Sequence, residues 1–111
     1  LVGSEMCIRD RSVTVPGMNH GTGMMTAKMY ADALGKVISC AIHPGGSIGM
    51  HRHETSDDIN YVISGKGIAV TDGAEEPLSA GVCHICKKGS AHSITNTGTE
   101  DLVLLTVVVE R

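Results

Sequence analysis

The chain has 111 residues and a net charge of −3, a length for one domain with one modest core. That weak acidity advertises no nucleic-acid or anionic-membrane partner, and no run of about 18 apolar residues exists to form a transmembrane helix. Tyr30 and Tyr61 are the only aromatics of the Phe, Trp and Tyr class, so the core must be built from Val, Ile, Leu, Ala and Met, and a stacking platform for sugars or bases is not expected.

Residues 1–11 show no apolar period of either kind. They match one reading frame of a common transposon-based sequencing adapter and are expected to derive from library preparation, so they are set aside from fold reasoning. On that reading Met6 and Cys7 are not natural residues, and the natural start of the chain is left open. Residues 12–23 are rich in Gly, Asn, Thr and Pro and read as a loop or arm. From residue 24 to 111 the chain reads as one β-domain.

Met24 to Tyr30 alternates, with Met25, Ala27 and Met29 on one face, as in a half-buried strand. Ala31 to Lys36 reads as a connection and Val37 to Ile42 as a strand. His43-Pro44-Gly45-Gly46 is a turn. Ser47 to His53 is the next strand, Glu54 to Asp57 a polar loop, and Asp58 to Ser64 a strand closed by Gly65-Lys66-Gly67. Ile68 to Thr71 and Glu75 to Leu78 flank Asp72-Gly73, a strong hairpin signal. Val82 to Cys86, Ala91 to Asn96 and Leu102 to Glu110 complete the set. Short strands with a turn signal every 8–12 residues or so argue for an all-β sandwich or barrel, and closure into a small antiparallel barrel removes exposed edges.

The last strand is apolar on both faces. It is expected to be central, and its outer face to meet a second subunit, giving a homodimer.

The chemistry gathers at Gly45 to Gly65 and Gly81 to Asn96. On a strand, residues two apart share a face, so His51 and His53 project together while Arg52 points away. Two neutral imidazoles on one face are half of a transition-metal site, and His92 offers a third. A carboxylate is needed to complete three nitrogens and one oxygen; Asp58, Glu54 and Asp57 are the candidates. Asn60 lies two residues after Asp58 and shares its inward face. It is expected to hold a substrate, orient a ligand or bond a neighbouring strand. By the same parity from His51, Ser47 is a weaker pocket candidate.

These two stretches resemble the paired signature motifs of the cupin superfamily. Gly45, His51, His53 and Gly65 fall at the spacings of the first motif, with Asp58 where that motif has glutamate. Gly81, Gly89, His92 and Asn96 fall at those of the second, with Lys87 at its proline position. The resemblance implies a small antiparallel β-barrel, or jelly roll. It also implies a divalent transition metal (Mn, Fe, Co, Ni, Cu or Zn) held by His51, His53, Asp58 and His92, with open positions for water or substrate. Superfamily members include dioxygenases, sugar isomerases and small proteins acting on uronates. The expected function is thus a metal-binding cupin, either an enzyme on a small polar or chelating substrate or a non-catalytic binder of a carbohydrate or organic acid.

The remaining polar residues receive structural readings. Cys83-His84-Ile85-Cys86 is not a redox pair, because positions three apart on a strand face opposite sides. Cys40 is expected in the core. Few cysteines suit a reducing cytoplasm. His20 and His43 read as surface histidines, and His84 reaches the pocket only if its strand turns that face inward. Met18, Met24, Met25, Met29 and Met50 read as core filler. Asn96 is expected to make an Asx-type turn before Gly98.

Overall fold

The computed structural model describes residues 13–16 and 21–111. The adapter-like segment 1–11, with Met6 and Cys7, lies outside the described residues, as do Met18 and His20. Ten strands form two antiparallel sheets, and no helix occurs among the described residues. The strands are β1 (Val13–Pro16), β2 (Met24–Asp32), β3 (Gly35–Ile42), β4 (Ser47–Arg52), β5 (Ser56–Ser64), β6 (Gly67–Thr71), β7 (Ala74–Leu78), β8 (Cys83–Cys86), β9 (Ala91–Asn96) and β10 (Leu102–Glu110). One sheet has the order β1-β2-β3-β10-β5-β8, the other β4-β9-β6-β7. This is the expected jelly-roll barrel.

Two segments depart from the sequence expectation. Part of the anticipated arm is strand β1, which pairs Val13 with Ala27 through Pro16 with Met24. Its β-branched Val-Thr-Val suits a strand. Pro16 is tolerated because β1 is the sheet's outermost strand. The connection 31–36 is also shorter than expected. Strand β2 runs on to Asp32 and β3 begins at Gly35, because the Asp32 carboxylate accepts the Leu34 N–H at 2.8 Å and closes the turn locally.

The apolar residues of facing strands meet between the sheets. Met25, Cys40, Ile42, Val62, Ala69, Leu78, Ile94, Leu102 and Leu104 form the core, each large aliphatic side chain contributing about 1.5–3 kcal/mol by leaving water. Met25 is core and Met29 lines the interior cavity, but Met24 and Met50 are exposed. Strand β10 is central, between β3 and β5. Its inner residues Leu102, Leu104, Thr106 and Val108 are buried, while Leu105 and Val109 stay exposed on the outer face.

The motif glycines and polar residues fix the turns. Gly65 has φ +94°, and a Cβ there would sit 2.4 Å from the Asp101 carbonyl oxygen, so no other residue fits without movement. The hairpin at Asp72-Gly73 forms as expected, with φ of 48° and 86°. Asn96 makes the expected Asx turn. Its Oδ1 accepts the Gly98 N–H at 2.8 Å, while its amide nitrogen donates to the carbonyls of Ile42 and Glu100. His43 is part-exposed, placed between Thr26 Oγ1 and Asp101 Oδ1, each at 2.9 Å.

Candidate metal centre

Strand β4 does not keep a simple alternation. Ile48 pairs with Ile94 and His51 with His92, so β4 spends three residues where β9 spends two. This is a β-bulge at Gly49-Met50, and it flips the parity of everything before it. Ile48 and His51 both line the interior, although they are three residues apart. Ser47, placed inside by simple parity, therefore lies outside the cavity. Its hydroxyl accepts the Thr22 N–H at 2.8 Å instead. That corrects the expectation for Ser47.

His53 lies one residue beyond β4, yet the second motif holds it. Its N–H donates to the Ser90 carbonyl at 3.0 Å and its carbonyl accepts from the Gly89 N–H at 2.6 Å. The Arg52 guanidinium points the other way and donates to the Gly89 carbonyl. The turn at Lys87 forms without proline, because the Ser90 N–H closes it onto the Lys87 carbonyl at 2.9 Å.

From the neighbouring sheet, β5 contributes Asp58 and Asn60, both inward as alternation requires and 5% and 2% exposed. Asp58 is the carboxylate that joins the histidines. Asp57 faces outward, accepting the Lys88 N–H and pairing with Arg111, and Glu54 is exposed at the cavity's edge. Asn60 serves Asp58 directly. Its amide nitrogen donates to Asp58 Oδ2 at 3.1 Å, and its own oxygen accepts the Thr106 hydroxyl at 2.7 Å.

One donor atom from each of His51, His53, Asp58 and His92 lies within 4.8 Å of all the others. His53 Nε2 is 3.0 Å from His51 Nε2, 3.1 Å from His92 Nε2 and 3.3 Å from Asp58 Oδ2. His92 Nε2 is 3.0 Å from Asp58 Oδ2. Ligand atoms about 2.1 Å from a shared ion and at right angles to one another would be about 3.0 Å apart, so these spacings fit a common centre.

The protonation logic points the same way. His51 Nδ1 is 2.7 Å from the Gly49 carbonyl, which only accepts, so that nitrogen carries the proton and Nε2 of the neutral ring presents a lone pair. A single proton can satisfy one of the converging contacts at a time, whereas a cation satisfies them together. The donor set therefore fits a metal ion.

The electrostatics follow from burial. Desolvation lowers His51 and His53 below the ordinary histidine range, favouring the neutral rings that ligate metals. Burial pushes the Asp58 carboxyl upward, but the hydrogen bond from the Asn60 amide and the close imidazoles of His92 and His53 outweigh it and hold the group below its usual value.

The cluster forms one wall of a cavity of about 520 Å³. Ala27, Ile38 and Val108 supply apolar lining, Asn60 and Thr106 polar lining, and Lys36 a cation.

Behind the cluster lies a feature that single-strand reading leaves undecided. His84 is 2% exposed. Its Nε2 is 2.9 Å from His92 Nδ1 and its Nδ1 is 2.7 Å from Glu76 Oε1. Strand register carries the signal for His84. Asn60 pairs with His84 and Asp58 with Cys86, so inward-facing Asp58 and Asn60 force His84 and Cys86 inward, while Cys83 is exposed. Cys40, Cys83 and Cys86 are free thiols, and Cys40 is buried as expected.

A cupin-domain family model matches residues 39–108, from within β3 to near the end of β10. The chain belongs to the cupin family. Among cupins, it is 39% identical over 116 aligned residues to the oxalate-binding protein of Thermotoga maritima, covering 96% of each chain. It superposes with a TM-score of 0.87 on a Thermotoga maritima crystal structure described as a predicted oxalate decarboxylase, at 26% identity over 97% of this chain and 96% of that one. A conserved Klebsiella pneumoniae protein with a double-stranded beta-helix domain gives a TM-score of 0.70 at 29% identity, over 76% of this chain and 75% of that one.

Proposed function

We propose that this cupin binds oxalate or a similarly small chelating dicarboxylate through a divalent transition metal held by His51, His53, Asp58 and His92. The convergence of those four donor atoms on one wall of the barrel cavity carries the reading. The oxalate-binding relative, matched along nearly its whole length, supports the ligand class. A metal there would supply a Lewis-acidic centre for the ligand's oxygens. Asn60, braced by Thr106, orients the Asp58 carboxylate. Ala27, Ile38 and Val108 give the cavity an apolar side, and Lys36 adds charge for an anion.

Elemental mass spectrometry and calorimetry test this on protein starting at Ser12, purified without a metal-binding tag. The expected result is about one equivalent of metal and oxalate binding that disappears on chelation and returns on reloading. Oxalate binding that is equally tight without metal, or a protein that cannot be loaded, would sink the reading.

Turnover is the second reading, favoured by Glu54, an exposed carboxylate that lines the same cavity outside the ligand set and belongs to a residue type able to transfer protons. Incubating metal-loaded protein with oxalate and assaying formate and carbon dioxide separates the two. Product above the free-metal control establishes an enzyme; none leaves a binder.

We also propose that the outer face of the six-stranded sheet covers a second copy of the chain. Val37, Tyr61, Ile85, Leu105 and Val109 are exposed there, and strand register places Val37 beside Val107 and Tyr61 beside Leu105. An apolar stripe of this kind needs cover. Sedimentation should give twice the chain mass, and Leu105→Glu should return it to the monomer; a monomeric wild type removes the proposal.

A further inference from the structure

The Glu76-His84 pair plays no part in the cavity, yet it ends on a ligand. Three contacts form an unbroken line. Glu76 Oε1 lies 2.7 Å from His84 Nδ1, His84 Nε2 lies 2.9 Å from His92 Nδ1, and His92 Nε2 faces the cluster at 3.0 Å from Asp58 Oδ2. The side chains of His84 and His92 are almost sealed from water, at 2% and 1% exposure, whereas that of Glu76 is 45% exposed. The line therefore runs from solvent through the barrel wall to the proposed metal.

Ring geometry shows that the central contact is a hydrogen bond rather than stacking. The His84 and His92 planes are 19° apart and their centroids 5.1 Å. The 2.9 Å nitrogen–nitrogen contact plus the two ring radii accounts for nearly all of that separation. The rings meet edge to edge and almost in plane, as an N–H···N bond requires.

Proton placement then follows from the two ends. The Glu76 carboxylate accepts, so His84 Nδ1 carries a hydrogen and donates. With His92 Nε2 turned to the cluster as the coordinating lone pair, His92 Nδ1 carries the hydrogen and donates to the Nε2 lone pair of His84 at 2.9 Å. Resting on the metal-site reading above, we infer that Glu76 and His84 are positioning residues. They lock His92 in the tautomer and ring orientation that present Nε2 to the metal, and they raise the basicity of that nitrogen. Outer partners of this kind commonly shift metal affinity by about 10–100-fold. A carboxylate usually contacts the ligand histidine directly. Here an intervening histidine carries the effect from the edge strand β7 through the edge strand β8 to β9.

A purely structural role would make the same bonds a staple between the two sheet edges, so the test must read more than stability. Nitrogen-15 NMR of the full chain, metal-free and zinc-loaded, reports which His92 nitrogen carries hydrogen. Nδ1 is expected to be protonated in both states and Nε2 zinc-bound in the second. Zinc on Nδ1, or a bare Nδ1, would overturn the inference. Competition titrations with zinc alone give the second readout. His84→Leu, which cannot accept, should weaken zinc by about 10–100-fold. His84→Gln, whose amide oxygen can accept from His92, should recover most of the loss. If His84→Leu does not fold, Glu76→Gln, at a part-exposed position, should still cost several-fold. Equal zinc affinity in wild type, Glu76→Gln and whichever His84 variants fold would leave only a staple. A wild type that binds no zinc fails the metal-site reading instead, and the metal-free tautomer still decides the relay.

Discussion

The two halves of the barrel interior are built on opposite terms. At one end, Ile42, Val62, Leu78, Ile94, Leu102 and Leu104 close on each other with almost no exposure. At the other, the same strands present Asp58, Asn60, Thr106 and His92 towards a cavity. Strand β10 passes through both, with Leu102 and Leu104 in the closed half and Thr106 in the open one. The closed half gains free energy from burial. The open half buries polar groups, at a cost unless each is bonded. No buried side-chain nitrogen or oxygen among the described residues lacks a partner. The contrast teaches that the apolar half holds the frame while the polar half lines the cavity with bonded polar groups.

Substitutions should separate the halves. The largest effect is expected from His92→Ala, which removes a central donor and strips His84 Nε2 of its partner. Metal content should fall from about one equivalent to background while circular dichroism still reports a β-fold. Retained metal would mean that the site is elsewhere. Leu104→Ala acts on the closed half, where the side chain is 0% exposed. Denaturant unfolding should show a loss of about 2–5 kcal/mol, with unchanged metal stoichiometry per folded molecule. If Leu104→Ala also empties the site, the halves are not separable.

The closed half was the more legible in sequence. Alternating apolar runs and turn signals placed nearly every strand, because a two-residue period and Gly, Pro, Asp or Asn punctuation are local properties. His51, His53, His92 and Asp58 were legible through spacing. Ser47 was misplaced because the bulge at Gly49-Met50 is a property of the β4–β9 pairing, invisible in β4 alone. His84 stayed undecided for a similar reason. A four-residue strand, Cys83–Cys86, has too few alternations to declare its inner face, and only its register with Asp58 and Asn60 settles it. Glu76 carries no sequence signal at all, since a glutamate on a hairpin edge reads as a solvated charge.

A milder substitution tests the seam between the halves. Thr106 is 7% exposed, and its hydroxyl is the donor to Asn60 Oδ1. Thr106→Val keeps the shape and deletes that donor. Unfolding measurements should show a cost of about 1–3 kcal/mol for the unsatisfied amide oxygen. Because Asn60 also holds Asp58, metal affinity should drop several-fold as well. A stability loss with unchanged metal affinity would confine Asn60 to packing.

The smallest effect compares inner and outer faces through the thiols. Burial pushes the Cys40 thiol up to about 12 and the Cys86 thiol up to about 11, from an ordinary value of 9.0, while Cys83 is exposed. Peptide mapping after iodoacetamide at pH 8 should find Cys83 alkylated and Cys40 and Cys86 protected until denaturant is added, because the thiolate is the reactive form. Cys7→Ser keeps that remaining thiol out of the assay. The linkage has a definite sign. The folded chain keeps the Cys40 proton at pH values where the unfolded chain, titrating near 9.0, has released it. The contribution is fully present below pH 9.0 and is lost as pH rises towards about 12. Cys40→Ala should flatten that alkaline loss, and an unchanged slope would place it in other groups. Equal alkylation of Cys83 and Cys86 would mean that β8 opens readily, and His84, which shares its inner face, would then be a poor anchor for His92.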